Sequence, residues 1–268
     1  VAKKRRRKRQ LDMAVATIHR RFGPQALTRG KPARATGDPT AVPYIPTGFP
    51  ALDRALGTGG LPRGKISEMV GPATSGKTTL ALKFLAQSQA GGGQVAYIDQ
   101  ALYFDPDYAH RCGVDLSQLL VGTTHDLQEA LAATEALARS GGLAALVFDA
   151  LDFLWTDPVA TSLLAATLNR LPRFLARSET ALLVLHESTT GPATPDGLAT
   201  ASGSPALSTL AHTAAVRLGV VRERWLERHG DVRGYEARVE VLKSKLGPAG
   251  RVVNLKIEFN GTVRGNGL

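Results

Sequence analysis

Short runs dominated by apolar residues recur along most of this chain, separated by longer stretches of helical periodicity. GKISEMV (64–70), QVAYID (94–99), LAALVFD (143–149) and ALLVLH (181–186) are the clearest, and further strands are expected near 118–121, 213–221, 236–243 and 251–259. These short runs alternate with helical stretches, so both strand faces need cover, as in a mostly parallel sheet. Helices are expected near 50–56, 77–90, 106–112, 126–139, 158–176 and 204–210. The alternation predicts an α/β core from about residue 45 to 268. Its sheet is covered by helices on both faces, and antiparallel strands close the C-terminal edge. Upstream, Leu11, Val15, Ile18 and Phe22 fall at helical spacing, and a stretch rich in Gly and Pro follows. These predict a helix and linker over residues 11–44.

Composition adds limits. The 268 residues suffice for one large α/β domain, and with aromatics at only 6% aliphatic residues must do most of the packing. No run of 18 apolar residues occurs, so no membrane helix is expected. A single cysteine, Cys112, excludes an internal disulfide and points to a cytoplasmic setting. The formal charge is +10, and KKRRRKR at residues 3–9 supplies +7 of it. Seven adjacent cations repel, so residues 1–10 are expected to form a disordered basic arm. Such an arm serves either to seek polyphosphate or to keep a terminus soluble.

The sharpest chemical signal is GPATSGKT at residues 71–78, which fits G-x-x-x-x-G-K-[ST] between a predicted strand and a predicted helix. In such a loop successive N–H groups point at phosphate oxygens, and the helix adds its positive dipole end. Lys77 is placed to reach the terminal phosphates and Thr78 to ligand Mg²⁺. Asp149 ends the run AALVFD, where a carboxylate can hold the water shell of the same ion.

The sequence resembles the RecA/RadA recombinase family across roughly residues 11–263. The likeness rests on IPTGFPALDRALGTGGLPRGKISEMVGPATSGKTTLAL, FDPDYAHRCGVDLSQLLV, ALARSGGLAALVFDAL and VEVLKSKLGP. It implies a RecA-like P-loop NTPase core that binds ATP and Mg²⁺. Gly71, Pro72, Ala73, Thr74, Ser75, Gly76, Lys77, Thr78 and Thr79 would cradle the phosphates. Asp105 and Tyr108 would meet the adenine, and Asp149 would serve the metal. Lys243 and Lys245 would face the nucleotide of a neighbouring subunit, and residues 11–30 would pack onto that neighbour.

Three departures bear on activity. The family's water-polarising glutamate falls at Ala101, and a methyl group orients no water. Asp99 is a poor substitute at a different depth. The family's phosphate-sensing glutamine falls at Glu187, which accepts hydrogen bonds but donates none when ionised. Glu187 could instead serve as a substitute base, while His186 beside it reads as the end of a core strand. The loop after Asp149 is short, and a second candidate DNA loop at 188–205 contains no Lys or Arg. No carboxy-terminal domain is expected. The resulting expectation is an ATP-binding protein of DNA recombination and repair with weak or absent hydrolysis. It would bind DNA, single-stranded by preference, modulate a recombinase, or self-assemble. The alternatives are an active DNA-dependent ATPase and an ImuA-type mutagenesis accessory protein.

Overall fold

The computed structural model describes residues 2–23, 42–150, 157–187, 205–259 and 263–265. The chain divides into two units, Val1–Ala41 and Val42–Leu268. In the first, helix α1 (Ala2–Phe22) runs through the basic stretch. Charge repulsion leads one to expect a disordered arm over residues 1–10; the structure carries helix from Ala2. Lys and Arg are good helix formers, and Arg20 and Arg21 sit in the last turn, where the dipole favours cations.

The second unit is a nine-stranded sheet with helices on both faces. In chain order its elements are β1 (Tyr44–Ile45), α2 (Pro50–Leu56), β2 (Leu61–Pro62), β3 (Ile66–Gly71), α3 (Lys77–Ala90), β4 (Val95–Asp99) and α4 (Pro106–Arg111). There follow β5 (Leu119–Thr123), α5 (Leu127–Ser140), β6 (Ala145–Asp149), α6 (Pro158–Ser178) and β7 (Ala181–Glu187). The chain continues through α7 (Pro205–Thr213), β8 (Val216–Arg228), β9 (Asp231–Ser244), β10 (Val252–Glu258) and β11 (Val263–Gly265). The large sheet runs β11-β10-β9-β8-β3-β7-β6-β4-β5, and β1 and β2 pair separately. From β8 to β5 the neighbours are parallel, and β9, β10 and β11 continue antiparallel.

Alternation along the strands divides the core in two. Val95 and Tyr97 of β4 join the cluster that includes Leu80, Phe84 and Leu85 of α3, whereas Ala96 and Ile98 join Leu131 of α5 and Leu164 and Leu168 of α6. The helices are fixed at their starts. Asp126 accepts hydrogen bonds from the N–H groups of Gln128 and Glu129 at 2.7 and 3.1 Å, and Asp157 accepts from that of Val159 at 2.9 Å. Asp126→Ala is expected to lower stability by about 1 kcal/mol, read as a lower urea midpoint with unchanged slope.

Two features exceed the sequence expectation. Strands β8 and β9 extend into a long ribbon that turns at His229 and Gly230, both left-handed (φ 53° and 84°). RERWLER has few apolar residues to mark it as strand, yet Arg224 of β8 pairs with Glu236 of β9 at 2.6 Å. In the interior, three adjacent strands share a charged cluster of Glu68, Arg217 and His186, all buried. Arg217 Nε donates to Glu68 Oε2 at 2.5 Å, and His186 Nδ1 lies 3.3 Å from Oε1. Among the described residues no helix is long and apolar enough to cross a membrane.

Candidate functional site

The parallel strands bring their C-terminal ends to one edge of the sheet, the usual position of a ligand crevice in α/β folds. Buried β3 delivers the loop of residues 72–76 to this edge, and α3 leaves from it. Gly76 has a left-handed backbone (φ 104°), and a Cβ there would lie 2.7 Å from Ile257 Cδ1 and 2.9 Å from the Tyr235 hydroxyl. At Gly71 a Cβ would fall 2.0 Å from the Val220 carbonyl oxygen. Both positions therefore require glycine. Lys77 is buried and donates from Nζ to the carbonyls of Gly71 and Pro72, each at 2.8 Å. Ser75 Oγ is buried and has no hydrogen-bond partner among the described residues. Ala73 and Thr74 are exposed, as is Thr78 on the first turn of α3.

Thr78 Oγ1 donates to Asp149 Oδ2 at 3.4 Å. The same Oδ2 accepts from the hydroxyl of Tyr97, whose ring packs against Phe104. Burial, followed by the charge of Asp149 and the hydrogen bond to it, pushes the Tyr97 hydroxyl well above its ordinary range. Tyr97 therefore stays a donor. Among the described residues no three His, Cys, Asp or Glu side chains group to hold a metal ion. A hydroxyl beside one carboxylate suits a hard cation that keeps waters and takes phosphate oxygens as its other ligands. A buried serine hydroxyl without a partner among the described residues, a buried lysine and a loop that requires glycine at 71 and 76 fit a polyphosphate with Mg²⁺.

Where a water-activating acid would be sought, β4 ends beside β6 with Asp99 opposite Asp149. Asp99 is buried and accepts the backbone N–H groups of Tyr103 at 3.1 Å and Phe104 at 2.9 Å, one on each carboxylate oxygen. It shapes the turn that follows. Gln100 donates its N–H to the Asp149 carbonyl at 2.7 Å, and Ala101 brings only a methyl group. Glu187 ends β7 as the register partner of Gly71, at the same edge.

Beside the loop lie aromatic side chains. Asp105 caps α4 by accepting the Tyr108 N–H at 3.0 Å, and the Tyr108 hydroxyl meets Thr79 Oγ1 at 2.7 Å. Burial is the main cause that raises the Tyr108 hydroxyl to about 12. Tyr235 approaches Gly76 from β9 and packs edge-on with Trp225 and at a tilt with Phe259. Arg222 of β8 donates to Thr74 Oγ1 at 2.8 Å.

The structure thus gathers residues 71–79, Asp105, Tyr108, Asp149 and Glu187 at one edge. It does not bring Lys243 and Lys245 to them. Lys243 pairs in register with Arg217 near the start of β8, at the opposite edge of the sheet. Lys243 Nζ donates to the Ala211 carbonyl at 2.5 Å, and Lys245 Nζ to that of His212 at 2.6 Å. Burial, then the charges of Lys245 and Arg217, lower Lys243 below its ordinary value. The candidate DNA loop falls almost wholly in residues 188–204, outside the described residues. Tyr97, Tyr235 and Arg222 escaped the sequence analysis. An aromatic or a cation inside a strand carries no motif, and only sheet registration sets these beside the loop.

The family model described as RecA N-terminal domain matches residues 9–264. The RecA protein of Streptomyces ambofaciens is 34% identical over 98% of this chain and 72% of its own length. Those of Frankia casuarinae and Chlorobaculum tepidum are 35% and 33% identical, over 97% and 94% of this chain and 77% and 75% of theirs. The crystal structure of the RadB recombinase shares the fold with a TM-score of 0.64 at 20% identity, covering 82% of this chain and 99% of that one.

Proposed function

Since this chain belongs to the RecA family, we propose that it acts in DNA recombination or repair as an ATP-binding protein that hydrolyses ATP weakly or not at all. One observation carries the catalytic half of this reading. Position 101 is alanine, and the adjacent acid, Asp99, has both oxygens occupied by the N–H groups of Tyr103 and Phe104. Asp99 is thereby committed to holding its own turn, and positions 100 and 101 offer no other carboxylate.

In this reading the backbone of residues 71–78 binds the phosphate chain and Lys77 moves from its two carbonyls onto phosphate oxygens. Ser75 gains an acceptor. Thr78 and Asp149 hold the Mg²⁺, which supplies charge neutralisation on the phosphates. Tyr97 fixes the Asp149 carboxylate, and Tyr108 with Tyr235 borders the base, which Asp105 would meet. Lys243 and Lys245 act on the nucleotide of an adjoining subunit, another copy or a RecA-family recombinase. Their position at the far edge of the sheet suits action across an interface. Helix α1 supplies the phosphate-neutralising charge for DNA that residues 188–205, without Lys or Arg, do not.

A second reading, an active DNA-dependent ATPase, draws on Glu187, whose register with Gly71 sets a carboxylate beside the phosphate loop. Hydrolysis measured with and without single-stranded DNA separates the two, with Lys77→Ala as the non-binding control. The expected result is nucleotide binding by the wild type and a rate near that of the control. A DNA-stimulated rate that Glu187→Gln abolishes would establish the second reading. Deleting residues 1–10 is expected to weaken DNA binding and flatten its dependence on salt; an unchanged slope removes α1 from the interface.

A further inference from the structure

Of the charged residues around the phosphate loop, Arg222 is in an unusual position. Arg217, Arg224, Arg233 and Arg238 lie on the same two strands, and each meets a carboxylate. Arg222 has no carboxylate partner among the described residues. Its Nη1 donates to a neutral acceptor, Thr74 Oγ1 at 2.8 Å, in the middle of the phosphate loop. Its guanidinium lies over the Trp225 ring, 4.2 Å from the centroid. Trp225 is itself steadied edge-on by Tyr235 at 6.0 Å and Phe259 at 6.2 Å. Thr74 is a β-branched residue with a left-handed backbone (φ 57°), a conformation such residues rarely adopt.

A guanidinium has five donors, and its strongest partners are planar or tetrahedral oxyanions. Here it is half-exposed, stacked on an indole, and one bond away from a loop built for phosphate. We propose that Arg222 is a second cation of the phosphate loop, supplied from β8 of the same chain, that leaves the face of Trp225 to meet the phosphate chain of a bound nucleoside triphosphate. This rests on the reading of residues 71–78 as a nucleotide site and adds a cation that the loop motif does not contain. Withdrawal of a positive charge from an indole face changes its emission, so Trp225 becomes a reporter of the event.

The test uses full-length protein with Trp155→Phe, which leaves Trp225 as the only tryptophan of two. Emission is followed while MgATP, MgADP or AMP is added, and binding is measured separately with radiolabelled nucleotides. MgATP is expected to shift the emission and AMP to leave it unchanged. Arg222→Ala should lose the shift and bind ATP about tenfold more weakly, with AMP little affected, the size of a lost charged hydrogen bond. Arg222→Lys should recover part of the preference for ATP over AMP.

Equal loss of ATP and AMP in Arg222→Ala would make the residue a brace of the loop and overturn the inference. So would an unmoved Trp225 signal in protein that binds radiolabelled ATP. Failure of the unsubstituted chain to bind any radiolabelled nucleotide would instead sink the nucleotide site itself, and this inference with it.

Discussion

Ala101→Glu is expected to hydrolyse ATP about 10²–10⁴ times faster than the wild type, the range that a positioned general base contributes. The turn after β4 already presents position 101 at the phosphate edge. Asp99 ties it down through Tyr103 and Phe104, and Gln100 is anchored on the Asp149 carbonyl. Ala101 is only half-buried, so a longer side chain has solvent to enter and displaces no core atom. Nucleotide affinity should hardly change, because the substitution adds nothing to the phosphate loop. Steady-state release of inorganic phosphate checks the rate, and equilibrium binding checks the affinity. A rate that stays at the wild-type level with affinity intact would mean that the missing carboxylate is not what limits the site. Loss of wild-type hydrolysis in Glu187→Gln would locate the base on β7 instead.

What was legible in the sequence follows the kind of signal each residue carries. The strands at 95–99, 145–149 and 181–185 are closed on both faces, and their apolar runs announce that directly, whereas buried Ser67 and Glu68 interrupt the run at 66–71. Helices α2 to α7 show their periodicity and, at α4, α5 and α6, an aspartate cap. The phosphate loop is local in sequence, so its motif and its geometry coincide. The ribbon of β8 and β9 ran further than expected because its outer half is held by cross-strand ion pairs and an aromatic cluster rather than by burial. The basic helix α1 was hidden because charge repulsion and helix propensity oppose each other there. Tyr97, Arg222 and Tyr235 reach the site only through strand registration, which no short window of sequence encodes.

Glu68→Leu is expected to cost about 3–5 kcal/mol, the usual result of removing one partner from a buried ion pair. Arg217 would be left charged in the interior, with His186 also deprived of its acceptor. For a domain of this size that lowers the melting temperature by roughly 6–20 °C. The double substitution Glu68→Leu with Arg217→Met should recover much of the loss, since an apolar replacement of a buried pair is often neutral. The pH dependence has a definite sign. Burial raises the Glu68 carboxyl, but the His186 hydrogen bond, the charge of Arg217 and its hydrogen bonds together hold it below its ordinary 4.5. A carboxyl lowered on folding stabilises fully above its unfolded value, and the contribution fades as pH falls below about 4.5 through the lower folded value. The gap in thermal melts between wild type and Glu68→Leu should therefore narrow as pH falls from 7 to 3; a constant gap would show that the carboxylate charge is not what the variant loses. The placement links this cluster to function. Glu68 lies three residues before Gly71, His186 precedes Glu187, and Arg217 begins the strand that carries Arg222. One buried carboxylate thus ties together β3 and β7, whose ends carry the phosphate loop and its neighbouring acid, and β8, which carries Arg222 in its middle.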